Sequence, residues 1–139
     1  MKRHLVESVE IAAPVEEAFC FIADPKQLPQ WTQAFRSVGD GRALMETPNG
    51  SVEIGLSTFA ARDQGTIDWK MSFPDGSIAW AYSRLLPGGE GNTIYTFTLM
   101  APPTPLEKLE GVLEEQGKIL RHELANLQRI LNGREEKRP

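Results

Sequence analysis

One cysteine, Cys20, in 139 residues excludes an internal disulfide and a thiolate metal cluster within the chain. Its neighbours read as a helix, so Cys20 is expected to be a reduced packing residue. There are two histidines, His4 and His122, each on the outer side of its element by residue spacing, so neither forms a metal pair or serves as a general base. No glycine-rich loop sits between a strand and a helix, which removes the usual phosphate cradle. Excess positive charge is missing too. The net charge is −4, with no basic patch interleaved with aromatics, so no nucleic-acid partner is expected. No apolar run approaches the length of a membrane span, and the start of the chain lacks a signal-peptide core. The expectation is a cytoplasmic protein that needs no metal or nucleotide cofactor and makes no stable membrane insertion. With 40% hydrophobic and 24% charged residues, the composition is that of one globular domain.

What the chain does have is a long amphipathic stripe near its end. Leu106, Leu109, Leu113, Gly117, Leu120, Leu124, Leu127 and Leu131 recur at steps of three and four. Glu107, Glu114, Lys118, His122 and Arg129 fall on the other side. This spacing predicts a helix over residues 105–131, capped by Thr104, opened by Pro105 and stopped at Asn132-Gly133. Residues 133–139 then form a charged tail, leaving 1–132 as the domain. A helix of this size, about 40 Å long, needs a broad apolar partner surface.

That surface comes from the middle of the chain. Residues 4–11 alternate as a strand, and Pro14 opens a short helix with Val15, Ala18, Phe19 and Ile22 on one face. Asp24-Pro25 caps and starts a second short helix. From Phe35 onward, turn signals recur at Gly39-Asp40-Gly41, Asn49-Gly50, Asp63-Gln64-Gly65, Asp75-Gly76 and residues 88–92. They divide the chain into six antiparallel strands near 35–38, 42–47, 51–60, 66–73, 77–86 and 92–100. Centring each hairpin on its turn places Thr58 opposite Trp69, Met71 opposite Trp80, and Trp80 opposite Phe97. One face then carries Ile54, Leu56, Thr58, Ile67, Trp69, Met71, Ile78, Trp80, Tyr82, Tyr95, Phe97 and Leu99. The other face is polar. An exposed Val6 or Leu44 on that outer face would suit a homodimer contact.

Among the polar groups turned inward, Glu7 alternates with Val9 and Ile11, Arg84 follows Tyr82, and Tyr82 faces Tyr95. Gln116 and Glu123 flank the leucine stripe. A carboxylate in a dry cavity has a raised pKa and can act as an acid or base. Glu7 and Arg84 fit equally well at the sheet margins, solvated or paired with each other. The two tyrosines either hydrogen-bond a ligand or pack as core aromatics. Gly117, on the inward stripe, either leaves room for a ligand or lets an aromatic pack against the helix.

The segment 11–32, with Ile11, Ala13, Pro14, Phe19, Asp24, Pro25, Pro29 and Trp31 at their spacings, resembles the opening of the polyketide cyclase/dehydrase and lipid-transport branch of the START-like (SRPBCC) superfamily. The element order resembles that superfamily's helix-grip fold over nearly the whole chain. The resemblance implies an α+β domain in which a curved seven-stranded antiparallel sheet wraps around a long C-terminal helix, with two short helices between strands 1 and 2. It also implies an apolar cavity between sheet and helix. The ligand-binding candidates are Trp69, Met71, Trp80, Tyr82, Tyr95 and Phe97 from the sheet, and Leu113, Gly117, Leu120 and Leu124 from the helix. The resulting expectation is binding of a small hydrophobic or amphipathic molecule of lipid, polyketide or aromatic type. The alternative is a metal-independent cyclase or dehydratase using Glu7 or Tyr82, and a further one is a protein-interaction domain using the same groove.

Overall fold

The computed structural model describes residues 3–47, 50–101 and 113–136. Strand β1 (His4–Ile11) leads into α1 (Val15–Ala23), a 3-10 turn (Pro25–Gln27) and α2 (Leu28–Trp31). Six strands follow: β2 (Phe35–Gly39), β3 (Arg42–Thr47), β4 (Gly50–Ala61), β5 (Thr66–Ser72), β6 (Ile78–Pro87) and β7 (Thr93–Met100). The chain then supplies α3 (Leu113–Glu136). All seven strands form one curved antiparallel sheet in the order β1-β7-β6-β5-β4-β3-β2. This is the helix-grip fold. The N-terminal part of the expected long helix and Asn49 of the expected tight turn lie outside the described residues. No helix among the described residues is long and apolar enough to cross a membrane.

The short helices begin as the sequence implies. Asp24 accepts a hydrogen bond from the Lys26 N–H at 3.1 Å, with Pro25 in the first turn. Ala18, Phe19, Phe21 and Ile22 of α1 are buried. On α3, Leu120, Leu124, Leu127 and Leu131 are buried at steps of four, three and four, which keeps one stripe of the helix against the core.

The helix does not stop at Asn132-Gly133 but continues through Glu136. Asn132 instead makes a tertiary contact, its Oδ1 accepting from the Ala12 N–H at 2.7 Å, just past the end of β1. Beyond it, the Arg134 guanidinium lies over the Phe21 ring, 4.6 Å from the centroid. Gln128 Nε2 donates to the Glu10 carbonyl at 2.7 Å, and Arg121 pairs with Glu7 at 3.0 Å. Polar side chains thus fasten α3 along β1 while its leucines fill the core.

Strand bounds follow the turn signals closely, but the register of β6 does not. Between β5 and β6 the chain closes on Phe73 and Ser77, whose backbones are hydrogen-bonded around Pro74, Asp75 and Gly76. Gly76 has φ of 89°, so the loop has three residues and one left-handed position. That odd count sets Trp69 opposite Ala81 and Met71 opposite Ala79. Because side chains alternate, a slip of one residue turns the whole strand over. Trp80, Tyr82 and Arg84 therefore face outward, and Ala79, Ala81, Ser83 and Leu85 face the core. The next loop is also longer than a two-residue turn, pairing Leu85 with Tyr95 and Ser83 with Phe97. This second odd shift returns β7 to its expected orientation, so Tyr95, Phe97 and Leu99 stay inward.

On the outer face, Trp80 stacks parallel to Tyr82 at 5.9 Å and lies 5.8 Å from Phe59. Val6 and Phe59 are exposed there.

Candidate functional site

The outward turn of Trp80 and Tyr82 has a consequence inside the sheet. Ala81 takes the row between Trp69 and Leu99. A methyl group there leaves space that an aromatic would fill. The result is a half-enclosed cavity of about 370 Å³ between the sheet, α2 and α3. Its sheet wall includes Trp69, Met71, Ala81, Phe97 and Leu99. Leu28 and Trp31 come from α2, and Phe35 and Met45 from β2 and β3. From α3 come Gln116, Ile119, Leu120 and Glu123. Trp69 and Phe97 stack with centroids 5.9 Å apart, giving the wall a flat aromatic section. Thr32, Gln33, Glu46 and Thr47, the polar lining residues from β3 and the segment between α2 and β2, are only partly buried or exposed.

Glu123 is the group that gives this apolar space chemical character. It follows Leu120 by three positions and precedes Leu127 by four, so it shares their face, and it is 8% exposed. Its Oε2 accepts from the N–H groups of Gln33 and Ala34, at 2.6 and 3.3 Å. The Oε1 atom has no hydrogen-bond partner among the described residues. Burial raises its pKa from 4.5 to about 7, opposed in part by the two backbone N–H groups. Desolvation disfavours the charged form, while donors to a carboxylate favour it. At neutral pH the carboxyl is therefore poised between its two protonation states.

Two indole N–H groups of the lining residues, those of Trp31 and Trp69, are buried without a partner among the described residues. So is the Thr58 hydroxyl, opposite Trp69 across β4 and β5. A buried unmet donor costs about 1–3 kcal/mol, so this wall is built at some expense in stability.

The sequence candidates separate accordingly. Trp69, Met71, Phe97 and Leu120 line the cavity. Trp80 and Tyr82 are corrected to the outer face, where Tyr82 is 38% exposed. Tyr95 and Leu124 lie in the packed core, and burial pushes the Tyr95 phenol well above its ordinary value. Leu113 is half-buried near the start of the described helix and does not line the space. Gly117 serves a close approach: a Cβ there would collide with Leu5 Cδ1, so its neighbour is an aliphatic of β1 and not an aromatic. Glu7 is turned toward α3 but engaged with Arg121, and Arg84 is exposed on the opposite face. Of the alternatives the sequence offered for this pair, Arg84 is solvated, and Glu7 is paired with Arg121 in place of Arg84. Glu123 is visible in the sequence only as an acid beside the leucine stripe. The usable signal is its position between two inward leucines.

No group of three or more His, Cys, Asp or Glu among the described residues is gathered for a metal ion.

The fold recurs among solved structures. A START superfamily protein from Mycobacterium smegmatis aligns at a TM-score of 0.65 and 17% identity, covering 95% of this chain and 99% of that one. XoxI from Bacillus cereus aligns at 0.66 and 16% identity, covering 94% and 96%. The two-domain ARO/CYC protein StfQ from the steffimycin biosynthetic pathway aligns at 0.65 and 12% identity, covering 96% of this chain and 46% of that one. No curated protein sequence matches the chain. The family profile described as polyketide cyclase/dehydrase and lipid transport matches residues 2–132. By that match over almost its whole length, the chain belongs to the polyketide cyclase/dehydrase and lipid-transport family.

Proposed function

We propose that this protein binds one small, largely apolar molecule in the cavity between the sheet and α3. The observation that carries this reading is the cavity itself, about 370 Å³, with an apolar wall from β5 to β7 opposite a single buried carboxyl. Volumes of this order, apolar walls and a few polar groups are the usual features of small-molecule sites. The stacked Trp69 and Phe97 rings suit a flat or aromatic ligand.

The test is titration with the uncharged fluorescent probe N-phenyl-1-naphthylamine. The wild-type protein should take up one equivalent. Ala81→Phe, which places a ring in the row between Trp69 and Leu99, should weaken uptake at least about tenfold while costing about 1–3 kcal/mol of stability. Unaltered uptake by a folded Ala81→Phe protein would place the site elsewhere.

A second reading, cyclisation or dehydration of a polyketide-like substrate, is favoured by Glu123. A carboxyl with a pKa near 7 in a half-enclosed, largely apolar space is suited to proton transfer. In this reading Glu123 takes the part that the sequence offered to Glu7 or Tyr82. A poly-β-ketone thioester should then yield an aromatic chromophore with wild type and far less with Glu123→Gln. Equal rates with both proteins would remove Glu123 from the chemistry.

A further inference from the structure

The cavity has a sign of charge. No lysine, arginine or histidine is among its described lining residues, and the two titratable groups among them are both acids, Glu46 and Glu123. Glu46 is the outer one: its carboxylate is engaged with Arg36 at 3.0 Å, and its side chain is 36% exposed. Glu123 is the inner one, with Oε2 held by two backbone N–H groups and Oε1 unpartnered among the described residues. The described elements packed around it direct no cation at Glu123. Helix α2 contributes Leu28 and Trp31, β2 contributes Phe35, and the charged Arg36 is directed to Glu46. On α3 itself, Lys118, Arg121 and His122 are exposed, and Arg121 is committed to Glu7. The aromatic side chains of Trp31, Phe35, Trp69 and Phe97 also line the cavity.

We propose that the ligand is an apolar amine: a hydrophobic, preferably aromatic body carrying one basic nitrogen that hydrogen-bonds Glu123 Oε1. This rests on the reading of the cavity as a ligand site and narrows its ligand class. An ammonium group supplies the donor that Oε1 lacks and offsets the carboxylate charge, forming a charge-assisted hydrogen bond. The neighbouring aromatic rings attract a cation through their faces. A fatty acid or other carboxylate meets the opposite situation, a like charge in a space whose described residues offer no compensating cation. Amine binding also draws the Glu123 proton off, so the preference for amine should strengthen as pH rises through 7, where the carboxyl ionises.

The test is a matched series with one ring system: 2-(1-naphthyl)ethylamine, 2-(1-naphthyl)ethanol and 1-naphthylacetate, titrated calorimetrically at pH 6 and pH 8. At pH 8 the amine should bind the wild-type protein about tenfold or more tighter than the alcohol, with the carboxylate weakest. The amine's advantage over the alcohol should shrink at pH 6. Glu123→Gln should reduce the amine to the level of the alcohol and leave the alcohol within about twofold. The wild-type series stands without any variant, so a misfolded Glu123→Gln protein does not spoil the test. Equal binding of amine and alcohol, or preference for the carboxylate, overturns the amine assignment while leaving the cavity reading in place. Loss of the amine preference in Glu46→Gln but not in Glu123→Gln overturns it as well, by moving the anchor outward. If none of the three binds, the cavity reading falls with it.

Discussion

Glu123→Gln should make this protein more stable at neutral pH. Carrying the carboxyl from its ordinary value of 4.5 to about 7 in the folded state corresponds to about 3 kcal/mol, at roughly 1.4 kcal/mol per pH unit. The sign follows from proton counting. Between these two values the folded protein holds a proton that the unfolded chain has released, so stability falls as pH rises. The full contribution is present below pH 4.5, and the loss is complete once pH passes about 7. Glutamine keeps a carbonyl oxygen for the Gln33 and Ala34 N–H groups and has no charge to desolvate. At pH 8 the variant should therefore exceed wild type by up to about 3 kcal/mol. For a domain of this size that is on the order of 10 °C in Tm. At pH 4 the two should coincide within about 0.5 kcal/mol. Urea unfolding at pH 4, 6 and 8 measures this directly. A variant less stable than wild type at pH 8 would refute the reasoning, because it would mean that the ionised carboxylate is a net stabilising partner of the α2–β2 segment. A stability gain with a loss of binding would mark Glu123 as a group whose use lies in the ligand.

Other outcomes follow from the same geometry. Gly117→Ala should change stability by less than about 1 kcal/mol, because a helix gain of up to about 1 kcal/mol is offset by the loss from displacing Leu5 Cδ1, the movable end of a half-buried side chain. Combining it with Leu5→Ala should recover part of that loss in a double-mutant cycle. Asn132→Ala should cost about 1–2 kcal/mol by stranding the Ala12 N–H, measured by urea unfolding. Tyr82→Ala, on the outer face, should leave probe uptake within about twofold of wild type, whereas Ala81→Phe one position earlier should weaken it at least about tenfold. Reversal of these two results would restore the register that simple turn-centring gives.

Much of the architecture is legible in the sequence because it rests on local chemistry. Turn residues at Gly39–Gly41, Asp63–Gly65 and Asp75–Gly76 mark strand ends, and leucines at helical steps mark α3, so element order and strand bounds need no tertiary information. Register does need it. The loop at Pro74–Gly76 carries one residue more than a symmetric two-residue turn, and a strand's facing depends on whether that count is odd or even. Trp80 and Tyr82 look like the natural inner pair because they are large and apolar, yet Ala79 and Ala81 are inside. Hydrophobicity favours burial of the aromatics, but the closure at Phe73 and Ser77 fixes the parity. Asparagine often ends helices, which makes Asn132 read as a stop, and its distant backbone partner is not a sequence property. Glu123 is hidden for a related reason: its role depends on the Gln33 and Ala34 N–H groups ninety residues away. The cavity is likewise a product of long-range register, since it exists where a small side chain faces large ones.

Native mass spectrometry of the protein purified without detergent, with uptake of N-phenyl-1-naphthylamine measured on the same sample, is the most direct measurement. A single-equivalent mass increment that is released by organic solvent, or one-to-one uptake of the probe that Ala81→Phe weakens, is the predicted result. A clean protein mass with no probe uptake would contradict a ligand site between the sheet and α3.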